Sequence, residues 1–96
     1  MTEKEAYQKK RSAQIREWQA KVEGLKAKAD RVAAEQQIKF YKEIESLRKK
    51  QKYARKKLDE LESAGEVTWK GIMGKVEIAR NDLKTAVDQA LVKFKH

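Results

Sequence analysis

The chain has no cysteine and no proline, four glycines and one histidine among its 96 residues. Without cysteine there is neither a disulfide scaffold nor a zinc ribbon, and without proline and with little glycine there is no collagenous or proline-rich segment. No stretch approaches the roughly 18 consecutive apolar residues of a membrane span, and the first twenty positions lack the apolar centre of a secretory signal. A cytoplasmic setting is therefore predicted, in keeping with the missing cysteine. The one histidine, His96, stands last, so no serine has a histidine partner and no thiol nucleophile exists. Gly71-Ile72-Met73-Gly74 has neither phosphate-loop spacing. Asp59, Glu62 and Glu66 share a helical face, yet oxygen ligands on one exposed helix cannot enclose a cation. No enzyme, cofactor or metal site is predicted.

What the chain does have is charge. Lys and Arg number 24 against 15 Asp and Glu, for a formal net charge of +9, and charged residues make up 41% of a length that allows one domain. Apolar residues fall at Ile15, Trp18, Val22, Leu25, Ala29 and Val32, in alternating steps of three and four that mark a heptad seam. The steps lengthen to four through Gln36, Phe40 and Ile44, and from Ile44 heptads resume through Leu47, Gln51, Ala54, Leu58 and Leu61. Gly24 is the only weak helix former of note, and positions 33–37 are good helix formers. One helix over about 3–62 is predicted, on the order of 90 Å long.

Ser63 followed by Glu66 fits a capping box, so a second helix is predicted over about 64–95. Its apolar stripe, with Trp69, Ile72, Val76 and Leu83 among its members, is broader than that of the first helix. The fold class predicted is all-α, a coiled-coil hairpin of one long and one short helix. The short arm would leave the seam of Ile15, Trp18, Val22, Leu25 and Val32 uncovered, which predicts a homo-oligomer, most simply an antiparallel dimer, assembled through that seam and the stripe of Trp69, Ile72, Val76 and Leu83. A three-helix bundle with an unmarked turn near 35–37, and a continuous rod, are the alternatives.

The densest local feature is the basic run 48–57, in which Arg48, Lys49, Lys50, Lys52, Arg55, Lys56 and Lys57 meet no acid between Glu45 and Asp59. Such a run attracts polyanions, nucleic acid above all, and an 18 to 6 excess of Lys over Arg favours diffuse phosphate contact over base reading. Tyr41 and Tyr53 are candidates for stacking on bases. Left unpacked, the second helix would suit an anionic membrane surface, though nothing in the sequence requires it.

The segment Ile38-Lys39-Phe40-Tyr41-Lys42-Glu43-Ile44, the turn Ser63-Ala64-Gly65-Glu66-Val67-Thr68-Trp69 and the stretch from Gly74 to Leu83 together resemble a group of small bacterial coiled-coil proteins of the stress-response type. The resemblance implies a soluble helical protein with a structural or interaction role, such as a stress-related scaffold, and no assigned reaction. It supplies no site residues. Such relatives are richer in acid than this chain.

Overall fold

The computed structural model describes residues 1–95, so His96 lies outside the described residues. Three helices follow one another: α1 (Glu3–Ala29), α2 (Ala34–Ser63) and α3 (Trp69–Lys93). They run up, down and up. Lys4 at the start of α1 reaches the end of α2, while Gln14 of α1 meets Arg80 of α3 and Lys28 meets Phe94, the same spacing along two parallel helices. The bundle measures 51 × 19 × 17 Å.

The all-helical expectation holds, but the single helix over 3–62 does not, because the chain turns at 30–33 and the predicted hairpin of two helices is a bundle of three. The turn lies just before the 35–37 position of the three-helix alternative. It carries no glycine, proline or left-handed residue; Asp30 is still in the αR region (φ −67°, ψ −15°), and Ala33 is extended (φ −60°, ψ 149°). Nothing in residue type announces it. Asp30 clasps it instead: its carboxylate accepts from Lys26 Nζ at 2.8 Å and from the Tyr41 hydroxyl, and its carbonyl accepts from Gln37 Nε2 at 3.2 Å.

Turning back covers the seam. Ile15, Trp18, Val22, Leu25 and Ala29 join Ile44, Leu47, Ala54, Leu58 and Leu61 of α2 and Trp69, Val76, Ala79, Leu83, Val87, Ala90 and Phe94 in one core. Each fully buried large aliphatic side chain contributes about 1.5–3 kcal/mol relative to exposure, far more than the few helix-end hydrogen bonds that the turn gives to water. Ile72 packs at the edge of this core and Val32 is half-buried in the turn. The premise from which an oligomer was expected, an uncovered 15–32 stripe, is therefore absent. Phe40 and Phe94 stack at 4.2 Å and close the core at the turn end.

The second predicted boundary is close in place and different in chemistry. Ser63 is the last residue of α2 and the chain breaks at Ala64 (φ −78°, ψ 148°), so Ser63 has helical dihedrals where an N-cap needs extended ones, and no capping box forms. The Gly65 carbonyl accepts the first amides instead, from Thr68 at 3.2 Å and Trp69 at 3.1 Å. The last turn of α2 holds no base of its own. Lys4 of α1 supplies the cation, donating to the Glu62 carbonyl at 2.9 Å and to that of Ala64, where the helix dipole is negative.

Candidate polyanion interface

The α2 stripe that faces the core leaves the basic run 48–57 on the remaining surface of the helix, and its neighbours decide which of those charges stay free. Arg48 pairs with Glu23 at 3.1 Å and Lys50 with Asp82 at 2.8 Å, tying α2 to α1 and to α3 respectively. Lys49 lies 3.8 Å from Glu45, and Lys57 lies 3.2 Å from Glu60 and over the Tyr53 ring at 5.3 Å. Arg55 divides itself between Asp59 at 3.4 Å and the Ser12 hydroxyl of α1 at 2.9 Å. Lys52 and Lys56 are exposed and pair with no carboxylate among the described residues. The seven candidates thus do not act as one unit. Five have acidic neighbours and two are free.

The fold adds two residues that the run did not contain. Lys9 and Arg16 stand seven apart on α1, exposed and in no ion pair among the described residues, and with Ser12 and Arg55 they line the groove between α1 and α2, whose tip end carries Glu5 and Glu62. The heptad spacing of Lys9 and Arg16 places them on one face, but only the turn at 30–33 sets that face beside Arg55. Arg55 also borders a second depression, in which Lys52 and Lys56 stand with Asp59 and Glu60 and which runs along α2 to the α2–α3 turn.

Six of the fifteen acids lie towards one tip: Glu3 and Glu5 at the start of α1, Asp59, Glu60 and Glu62 at the end of α2, and Glu66 in the turn that follows. The surplus positive charge therefore lies along the shaft and at the opposite end. Tyr41 is committed to Asp30, which lowers the Asp30 carboxyl through its bonds to Lys26 and Tyr41. Tyr53 is 54% exposed, with its ring partly occupied by Lys57.

A second polar cluster lies between α1 and α3. Glu77 accepts from the Tyr7 hydroxyl at 2.5 Å and from Arg11 Nε at 2.7 Å; Arg11 also donates to Gln14, which accepts from Arg80 at 2.9 Å. Burial, then the bond to Glu77, pushes the Tyr7 hydroxyl from 10.0 to about 12. Burial pushes the Glu77 carboxyl up, but the Tyr7 bond and the Arg11 charge together hold it below its ordinary value. Every side chain here is matched, with Arg80 lying 5.5 Å above Trp18. The cluster fixes the α1–α3 register.

The broad stripe of α3 is turned into the core from Trp69 to Phe94, which removes the apolar face that a membrane would take. No helix among the described residues is long and apolar enough to cross a membrane. Asp59, Glu62 and Glu66 do not converge, and among the described residues no group of three acids, histidines or cysteines could hold a metal ion. Compared with protein-family models, curated proteins and solved structures, the chain matches none.

Proposed function

We propose that the protein is a non-catalytic interaction module, a stiff three-helix bar that binds nucleic acid through the phosphate backbone along its α1–α2 face. The observation that carries this reading is the set Lys9, Arg16, Lys52 and Lys56: all four are exposed, none has an acidic partner among the described residues, and they flank Arg55 on neighbouring antiparallel helices. Charges left without intramolecular partners are the ones available to displace counterions from a polyanion. Three of the four are lysines, point charges that suit phosphate and lack the planar fork used to read bases. The acidic tip directs the strand along the shaft, away from the α2–α3 turn.

The test is fluorescence anisotropy of labelled duplex and single-stranded DNA, titrated with the protein at about 50 and 200 mM salt. Four to five phosphate contacts are expected to weaken binding about a hundredfold over that range. The combined variant Lys9→Gln, Arg16→Gln, Lys52→Gln, Lys56→Gln should flatten the salt slope by roughly four contacts while keeping its helical signal. Absence of binding by the parent protein at the lower salt overturns the reading, and so does a slope that the variant leaves unchanged.

A further inference from the structure

The turn at 30–33 leaves helical geometry at a single residue. Asp30 remains αR, the amides of Arg31 and Val32 still bond three residues back to Lys28 and Ala29, and Ala33 has a helical φ, departing from the helix in ψ. Ala33 caps α2 without a side-chain hydrogen bond, and no residue of the turn has a positive φ. The sequence on either side is helical in its own right, from the end of α1 to Ala33-Ala34-Glu35-Gln36-Gln37. Holding the turn closed are the Asp30–Tyr41 and Gln37–Asp30 bonds, both exposed, and the packing of α1 on α2 and α3. The packing does not depend on which chain supplies α1.

We propose that this turn straightens to form a domain-swapped dimer, in which residues 3–63 of each chain run as one helix and each α1 seats its Ile15, Trp18, Val22, Leu25 and Ala29 in the core of the partner. The occupant is a second copy of this chain because the surface uncovered when α1 swings out, the inner faces of α2 and α3, is complementary to the apolar face of α1. Every contact of α1 with α2 and α3 is remade between chains, so the exchange loses the two exposed side-chain bonds of the turn and gains regular helix across it. Lys26–Asp30 survives, being an i,i+4 pair on either form of the helix. Monomer and dimer therefore share one core and differ at the joint, and protein concentration sets their ratio.

Two variants separate the states. Ala34→Pro puts proline at the first position of α2, where the preceding residue is already extended, as a residue before proline prefers. It suits the turn, while in a continuous helix it falls in the interior and should reduce the dimer by more than about a hundredfold per chain. Asp30→Ala removes the carboxylate that Tyr41 holds, leaves the Gln37 bond to the backbone carbonyl, and supplies a better helix former, so it should enrich the dimer.

The chain has no cysteine, so spin labels at Ala20→Cys and Ser46→Cys report on these residues alone. In the closed bundle the two positions lie on adjacent antiparallel helices, within the 19 × 17 Å cross-section and a few ångströms along the axis. In the straightened helix the same pair stands about 39 Å apart. Doubly labelled chain diluted into excess unlabelled protein, unfolded and refolded together at high concentration, should show the long distance in the fraction that light scattering identifies as dimer. Ala34→Pro should abolish that distance and Asp30→Ala should raise its share. The short distance alone, in the parent and in Asp30→Ala, overturns the proposal; so does a dimer that retains the short distance, since its interface is then another surface.

Discussion

The Tyr7 hydroxyl donates to Glu77 Oε1 at 2.5 Å, joining two residues seventy positions apart in the sequence, and Arg11 holds the same oxygen at 2.7 Å from one turn further along α1. An apolar seam alone would let parallel helices slide by a heptad with little change in what touches what. Fixing one carboxylate between a phenol and a guanidinium removes that freedom, because a slip would leave a part-buried charge without its donors. The Tyr7 ring meets Trp69 at 6.2 Å, so the same residue also helps seat the start of α3.

Alkali and acid should both reach this cluster. The Tyr7 hydroxyl rises from 10.0 in the unfolded chain to about 12 in the fold, so its stabilising effect is complete below about pH 10 and is lost as pH rises through 12. Glu77 is lowered from 4.5, so its effect is present above that value and disappears as pH falls through the folded one. Absorbance titration of the tyrosines should show a phase near 12 that Tyr7→Phe removes, and Glu77→Gln should be less acid-sensitive than the parent in thermal melts. A Tyr7→Phe titration identical to the parent's would contradict the assignment.

Leu25 is 2% exposed and sits midway along the seam. Leu25→Ala should lower stability by about 2–5 kcal/mol, from lost transfer energy and the cavity left behind, with the urea slope unchanged. Trp18→Glu should unfold the chain, because the charge would enter the shared core, and circular dichroism would record loss of helix.

Lys4 caps α2 from another helix. Lys4→Met keeps the length of the side chain and removes the charge, and should lower the unfolding free energy by about 1 kcal/mol. Hydrogen exchange should locate the loss in the last turn of α2; an effect spread evenly over the bundle would show that the contact does not act as a cap.

Gly24 and Gly74 lie in helices, and a Cβ added at either meets nothing within 4 Å. Gly24→Ala and Gly74→Ala should each raise stability by about 0.5–1 kcal/mol, read as a higher denaturation midpoint. A lowered midpoint for Gly74→Ala would point to a contact made outside the isolated bundle.

Much of the core could be read in advance. The spacing of Ile15, Trp18, Val22 and Leu25 names the buried face of α1, and Leu47, Ala54, Leu58 and Leu61 do the same for α2, since a 3.6-residue helix lines up residues three and four apart. The turn at 30–33 was not legible, because its dihedrals suit any residue and its clasp joins Asp30 to a tyrosine eleven positions on. Ser63 and Glu66 misled for a related reason. A capping box is a local option, and here Lys4 and the Gly65 carbonyl satisfy the same helix ends from elsewhere.

The basic run shows the same division. Its composition was plain, but Glu23 and Asp82 neutralise Arg48 and Lys50 across helix interfaces, while Lys9 and Arg16 arrive from a distant part of the chain. By itself the sequence determined the helical class, the apolar faces and the sign of the surface, because periodicity and net charge are properties of a chain read in order. Where the first helix ends, which lysines remain free and what covers the seam were decided by the tertiary structure, because each depends on burying one stripe against another and on which charges that burial brings within a few ångströms.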